Sequence, residues 1–335
     1  MPMRRALLVS PLAFAALGRP ARAATKIKLG LLHTLSPAPL YLAMERGYFR
    51  DEGADVEFSF FQAAQPIAAA AVSGDLDMGI TALTGGFFSL AGRGLLKVVA
   101  GGLHEEAGWP GIALLASKQA YDGGLTTPAK LGGHSFGITQ FGSSFHYMIG
   151  QIAAKEKFDL KTVNLRPLQT IQNMVAAVRT GQVDATMAIA SQAQPVDASG
   201  EARIIAWVGD IVPYQLTAMF APKRMLTDRR DDVARIVRAY QRGVADYRTA
   251  FLRKGADGKP ITDAAITDIT KYIYTGDPDA RAKILDGIGW YDAQAALDVA
   301  DVENQVRWFR AEDMIHESFE PSSVIEPGFV PPLQA

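Results

Sequence analysis

Ser135-Phe-Gly-Ile-Thr-Gln-Phe-Gly-Ser-Ser144 is a short apolar run that ends in a glycine and two hydroxyl residues. Residues 135–139 read as a strand. Beyond them, Phe145, Met148, Ile149, Ile152 and Ala153 fall at helical spacing. A strand ending in Gly-Ser-Ser at a helix start brings free backbone N–H groups, two hydroxyls and the positive end of a helix dipole to one point. That suits the polar head group of a ligand. The same residues also suit a plain N-cap, and at this point both readings stand.

Working outward, the chain builds a similar turn earlier, at residues 81–86. Apolar strands at 26–32, 55–61, 76–81 and 95–100 alternate with helices at 40–50, 66–73 and 87–91. A strand at 111–117 follows, and the alternation resumes with strands at 135–139, 163–168, 183–189, 203–208 and 215–221. Helices are expected between them at 144–157, 171–179 and 192–198. From Asp228 onward the pattern is helical, at 231–253, 262–274, 278–286 and 292–311. Lys254 to Pro260 reads as a surface loop and 320–335, with four prolines, as an extended surface tail. Strands and helices alternating at this pitch predict an α/β fold with mainly parallel sheets.

An internal echo divides the alternation in two. Ala70-Ala-Val-Ser-Gly-Asp-Leu-Asp77 leads into one strand, and Ala176-Ala-Val-Arg-Thr-Gly-Gln-Val-Asp184 leads into another. Each reads as helix, glycine, turn, apolar–Asp, strand, which predicts two similarly built lobes. A length of 335 residues is enough for both.

Composition excludes several function classes. The chain has no cysteine, so disulfides, thiolate metal sites and cysteine nucleophiles are absent. Arg4 and Arg5, the apolar run 6–17 and Ala21-Arg-Ala23 read as a cleaved export signal. Cleavage removes four arginines and no acidic residue, taking the net charge from −1 to −5. A mildly acidic chain with no basic block suits neither nucleic acid nor an anionic membrane surface.

Pro39-Leu-Tyr-Leu-Ala-Met-Glu-Arg-Gly-Tyr-Phe49 and Val72-Ser-Gly-Asp-Leu-Asp-Met-Gly-Ile80 resemble the opening of solute-binding proteins of ABC importers, in the nitrate/sulfonate/taurine class. That class includes binders of a thiamine pyrimidine precursor. Leu131-Gly-Gly-His-Ser-Phe-Gly-Ile138, Gly142-Ser143 and residues 177–184 resemble its second-lobe pattern. The resemblance implies a periplasmic-binding-protein type II fold, with two α/β lobes joined by two crossover strands and extra C-terminal helices. Residues 1–24 would be the signal peptide, 25–114 and 217–335 lobe I with the C-terminal helices, and 115–216 lobe II. The strands at 111–117 and 215–221 would make the crossovers.

The resemblance further implies a periplasmic, monomeric receptor that passes a small organic solute (a sulfonate, carboxylate or heteroaromatic compound) to an ABC permease, without a cofactor. Ligand contacts are then expected at His33, Ser36, Gln62, Thr81, Leu83, Thr84, Gln140, Phe141, Gly142, Ser143, Ser144, Ala190, Trp207, Asp210 and Tyr214. His104, Glu105 and Trp109 are expected at the cleft edge. Lys and Arg are missing from nearly all these loops, which disfavours a small hard anion such as nitrate. The same fold would also serve a ligand sensor for a membrane kinase.

Gly133-His-Ser-Phe-Gly137 matches the G-x-S-x-G elbow of serine hydrolases, with Ser135 as nucleophile. The elbow needs strand, turn, then helix around the serine, whereas Ser135 begins a strand after a loop. His104-Glu105-Glu106 lacks the spacing of metal ligands on one face, so no metal site is expected. Mass spectrometry of the exported protein should show residues 1 to about 23 removed; an intact Met1 or Arg4 would refute the export signal.

Overall fold

The computed structural model describes residues 25–253 and 262–334. The expected signal peptide and the loop Lys254 to Pro260 lie outside the described residues. β1 (Thr25–Leu32) buries Ile27, Leu29 and Leu31 on alternate positions. Pro39 sits in the first turn of α1 (Ala38–Glu45), where its missing N–H costs nothing. The single helix expected over 40–50 is two, because Gly47 takes a left-handed φ of 74° before α2 (Tyr48–Asp51). β2 (Ala54–Phe61), α3 (Ala64–Ser73), β3 (Met78–Ala82), α4 (Gly85–Gly92) and β4 (Leu96–Gly101) complete the first run.

β5 (His104–Glu105) leads across to β6 (Ile112–Ser117) and α5 (Lys118–Asp122). The second run is β7 (Ser135–Ile138), α6 (Ser144–Glu156), β8 (Asn164–Pro167), α7 (Ile171–Arg179), β9 (Ala185–Ile189), α8 (Ala190–Ser199) and β10 (Ala202–Trp207). The chain returns through α9 (Val208–Ile211), β11 (Tyr214–Gln215) and β12 (Thr217–Pro222). α10 (Lys223–Asp228), α11 (Arg230–Tyr247), α12 (Asp263–Thr270), α13 (Ala280–Asp286) and α14 (Val299–Ala311) follow. α11 runs into a π turn at Arg248–Leu252. The helix expected from Asp292 starts later, at Val299, because Asp292 Oδ1 accepts from the amides of Gln294 and Ala296 and holds a turn there.

Two five-stranded sheets result, ordered β2-β1-β3-β12-β4 and β10-β6-β9-β7-β8. In each, one strand runs antiparallel to both its neighbours: β12 in the first and β6 in the second. Both are buried along their whole length. These are the two strands expected as crossovers, and here the structure corrects the sequence reading. The segments that cross are the two-residue strands β5 and β11, which pair antiparallel with Tyr214 opposite Glu105 and Gln215 opposite His104. The expected lobe boundary between 114 and 115 falls inside β6.

The internal echo has a physical counterpart. Asp77 Oδ2 accepts the amide of Lys28 at 2.9 Å, and Asp184 Oδ2 accepts that of Ser135 at 2.8 Å. Each carboxylate precedes an inner strand, β3 or β9, and ties it to the neighbouring strand, β1 or β7. Among the described residues no helix is long and apolar enough to cross a membrane.

α11 lies against α1 at Gly243, where a Cβ would stand 2.1 Å from the Pro39 carbonyl oxygen and 3.0 Å from Ala43 Cβ. On an exposed helix, Gly→Ala gains about 1 kcal/mol of stability. Here the backbone contact reverses the sign: Gly243→Ala should lower stability by about 1–3 kcal/mol as the helices are forced apart, read as a lower denaturant midpoint at unchanged m-value. A midpoint that rises would contradict this packing.

Candidate functional site

The C-terminal ends of the parallel strands in both sheets and the helix N-termini that follow them face one another across a cavity. It holds about 710 Å³ not filled by protein atoms, counting its mouth. From the first lobe come Leu32, Thr34 and Ser36 after β1, Gln62 and Gln65 after β2, and Ala82 and Thr84 after β3. From the second come Thr139, Gln140, Ser143, Ser144, Phe145, Met148, Ile171 and Ile189. Leu103, Ile112, Leu216 and Thr217, beside the crossovers, form the back. Among the described residues no lining side chain carries a charge; the polar groups are hydroxyls and three glutamine amides.

Helix capping explains part of this character. Thr84 Oγ1 accepts from the amide of Phe87 at 3.1 Å, Ser143 Oγ from His146 at 3.4 Å and Thr170 Oγ1 from Asn173 at 3.2 Å. Each hydroxyl satisfies an orphan donor of its own helix. The N-termini of α4 and α6 also meet directly, because the Gly85 amide donates to the Gly142 carbonyl at 2.9 Å. Gln140 Nε2 donates to Gln65 Oε1 across the same gap. Gly142 adopts a φ of 76°, open to glycine without strain, and its amide donates to His146 Nδ1 at 3.2 Å. Burial pulls the His146 pKa down to about 4, so the ring is neutral and able to accept that bond at neutral pH.

Of the expected contact residues, the cavity gathers Ser36, Gln62, Thr84, Gln140, Ser143 and Ser144. The two readings of Ser143 coincide: it caps α6 and lines the cavity. Gly142 shapes the turn without lining the cavity. Thr81 and Leu83 are buried in the core. His33 Nε2 instead meets the carbonyl of Tyr272 at 2.6 Å. Phe141 stands exposed, its ring edge-on to His146. Ala190 lines a neighbouring compartment. Trp109 packs against the main core and Trp207 against the core of the second sheet, while Asp210 Oδ1 accepts the amide of Gly108 at 2.8 Å.

His104, Glu105 and Tyr214 belong to the crossover ribbon. His104 lies between the carboxylates of Glu106 and Asp298, at 3.2 and 3.5 Å. Glu105 Oε2 accepts the amide of Ile112 at 3.0 Å. Asp301, on α14, accepts from the Gln215 amide at 2.9 Å and from Gln305 Nε2 at 2.8 Å. Burial pushes Glu105 up to about 7 and Asp301 up to about 6, against the hydrogen bonds each accepts.

Residues missed from sequence are mostly the apolar walls: Leu32, Leu103, Ile112, Met148, Ile171, Ile189 and Leu216. Gln65, also missed, stands in the first turn of α3, two residues before the buried Ile67.

Ser135 is not arranged as a nucleophile. Its Oγ donates to Asp184 Oδ2 at 2.8 Å, with His134 Nδ1 3.5 Å from the same carboxylate. No imidazole stands between hydroxyl and acid, as a triad requires. Among the described residues no group of three or more His, Asp or Glu is placed to hold a metal ion.

A family model described as NMT1/THI5 like matches residues 35–249. Among solved structures, the ligand-binding component of an ABC-type import system from Staphylococcus aureus, with zinc bound, superposes with a TM-score of 0.70 at 12% identity, covering 91% of this chain and 97% of its own. The periplasmic aliphatic sulphonate binding protein SsuA from Escherichia coli gives 0.68 at 17% identity, covering 90% and 97%. The periplasmic nitrate-binding protein NrtA from Synechocystis gives 0.62 at 14%, covering 90% and 85%. Such identities speak for the fold. No curated protein matches the chain in sequence.

The buried Glu105 carboxyl predicts a pH dependence. Its folded pKa, about 7, lies above the ordinary value of 4.5, so the folded protein keeps a proton that the unfolded chain releases. Its contribution is full below about pH 4.5 and is lost as pH rises through about 7, at up to about 1.4 kcal/mol per pH unit. Glu105→Gln should flatten the stability curve between pH 5 and 7, measured by urea titration; a parallel curve would contradict the assignment.

Proposed function

Because the chain belongs to the NMT1/THI5-like family and has the fold of periplasmic binding proteins of ABC import systems, we propose that it captures a small organic solute between its two lobes and delivers it to a membrane permease. The observation that carries this reading is the uncharged cavity between the sheets, bridged at its mouth by the Gly85–Gly142 and Gln65–Gln140 contacts. A concave site with apolar walls and a few convergent polar groups is the ordinary form of a small-molecule site.

The lining favours an organic body with one polar end. A bare inorganic anion leaves water only where charges or several free donors replace its hydration. Among the described residues no cation lines the cavity, and caps already occupy a donor at each of α4, α6 and α7. Gln62, Gln65, Gln140 and Ser144 remain to orient a polar group, while Leu32, Phe145, Met148 and Ile171 contact the rest. Action by binding rather than by chemistry fits the position of Ser135, engaged with Asp184 outside the cavity lining.

A thermal-shift panel of organic sulfonates, carboxylates, amides and pyrimidines tests the reading. A solute at 100 times its dissociation constant should add about 2.7 kcal/mol of stability. Ser144→Ala should weaken that solute by about tenfold at an unchanged melting point, through loss of one hydrogen bond. Ser143→Ala should also lower the melting point, through loss of about 1 kcal/mol of capping. A panel without a single shift, or a solute bound equally by wild type and Ser144→Ala, would count against the site.

A further inference from the structure

The space between the lobes does not end at Leu103, Ile112 and Ile189. On their other side these residues, with Ser36, wall a second, smaller compartment. Its far wall is built by Tyr247 at the end of α11 and by Gly287, Gly289 and Tyr291 after α13. The last three lie beyond the residues 35–249 that the family model matches.

The chemistry of this compartment differs from that of the first. Among the described residues no charged side chain lines it. Its tyrosine and serine hydroxyls already have partners within the protein: Tyr247 donates to the Gly289 carbonyl at 3.1 Å, Tyr291 to the Ser36 carbonyl, and Ser191 Oγ accepts from Tyr274 at 2.9 Å. Polar groups satisfied in this way have little to offer a polar ligand, and an apolar one displaces water without leaving them unpaired.

The two glycines point to the same use. Neither Gly287 nor Gly289 is in the left-handed region, so the backbone does not call for glycine. A Cβ at Gly289 would stand 2.3 Å from Leu103 Cδ1, and one at Gly287 2.8 Å from Leu35 Cδ2. Leu103 lines both compartments, and Leu35 lines the second. Glycine leaves these leucines where they are; a side chain there would drive them into the open space.

We infer that the solute is elongated: its polar head lies among Gln62, Gln65, Gln140 and Ser144, and a straight alkyl or aryl-alkyl tail passes Leu103 and Ile189 into the second compartment, whose wall sets the tail length. The inference rests on the cleft being the solute site. It narrows the solute class to molecules with a chain of several carbons.

Calorimetry with two homologous series, 1-alkanesulfonates and primary alkanamides from two to ten carbons, tests it on the full chain. Affinity should rise about fourfold per added methylene, up to a limiting length, and then fall. Gly289→Ala should bring the limit to shorter chains while the shortest members bind as before. Leu103→Ala, which opens the passage, should extend it. Should Gly289→Ala fail to fold, Leu103→Ala decides alone. Short members that bind with no gain along the chain, or a limit unmoved in every folded variant, would overturn the elongated solute and leave a solute site intact. No binding by any member of either series would overturn both.

Discussion

The amide of Gly85 and the carbonyl of Gly142 join the two lobes at the point where their helix starts meet. Everything at the cleft follows from that approach. It requires a turn at Gly142 with a positive φ, held by a neutral His146, and a second turn where Thr84 caps α4 with its own side chain. With one donor of each helix taken by its own cap and the Gly85 amide given to Gly142, fewer free donors of α4 and α6 are left for the cavity. The space behind them is therefore lined by amides, hydroxyls and hydrocarbon. This is the physical ground for proposing an organic solute rather than a small anion.

The second constraint is mechanical. Only β5 and β11 carry the described chain between the sheets before the C-terminal helices begin, and they pair over two residues each. A ribbon this short can absorb a change of lobe angle in a few dihedrals, as hinges do. Its polar groups are nonetheless buried: Glu105 and Tyr214, one from each of its strands, are shielded from solvent, and Asp301 on α14 holds the Gln215 amide. α14 thereby ties the C-terminal region to the hinge. Gln194 Nε2 donating to the Asp286 carbonyl at 3.1 Å and Tyr274 donating to Ser191 tie that region to the second lobe as well.

Much of the fold was legible because its signals are local. Alternating apolar runs placed the strands, and the spacing around Asp77 and Asp184 exposed the repeat before its hydrogen bonds were seen. Gly142-Ser-Ser144 marked a cleft turn because strand end, glycine and cap are adjacent in sequence. The crossovers were misplaced for a physical reason: β6 and β12 are apolar on both faces, and such a run looks the same whether it crosses between sheets or lies within one. A loop sequence does not tell where a side chain points, so Trp109 and Trp207, expected at the cleft, pack against the cores instead, and Tyr214 lies in the ribbon. The apolar walls, and the glycines at 287 and 289, come from distant stretches that only tertiary packing brings to the cavity.

An interlobe distance tests most directly whether the lobes close around a solute. The chain has no cysteine, so Asp75→Cys and Lys161→Cys, exposed positions on opposite lobes, accept two spin labels without background. Double electron–electron resonance should show a distance distribution that contracts to one narrow population at saturating solute. The same distribution with and without a tightly bound solute would contradict closure of the lobes around it.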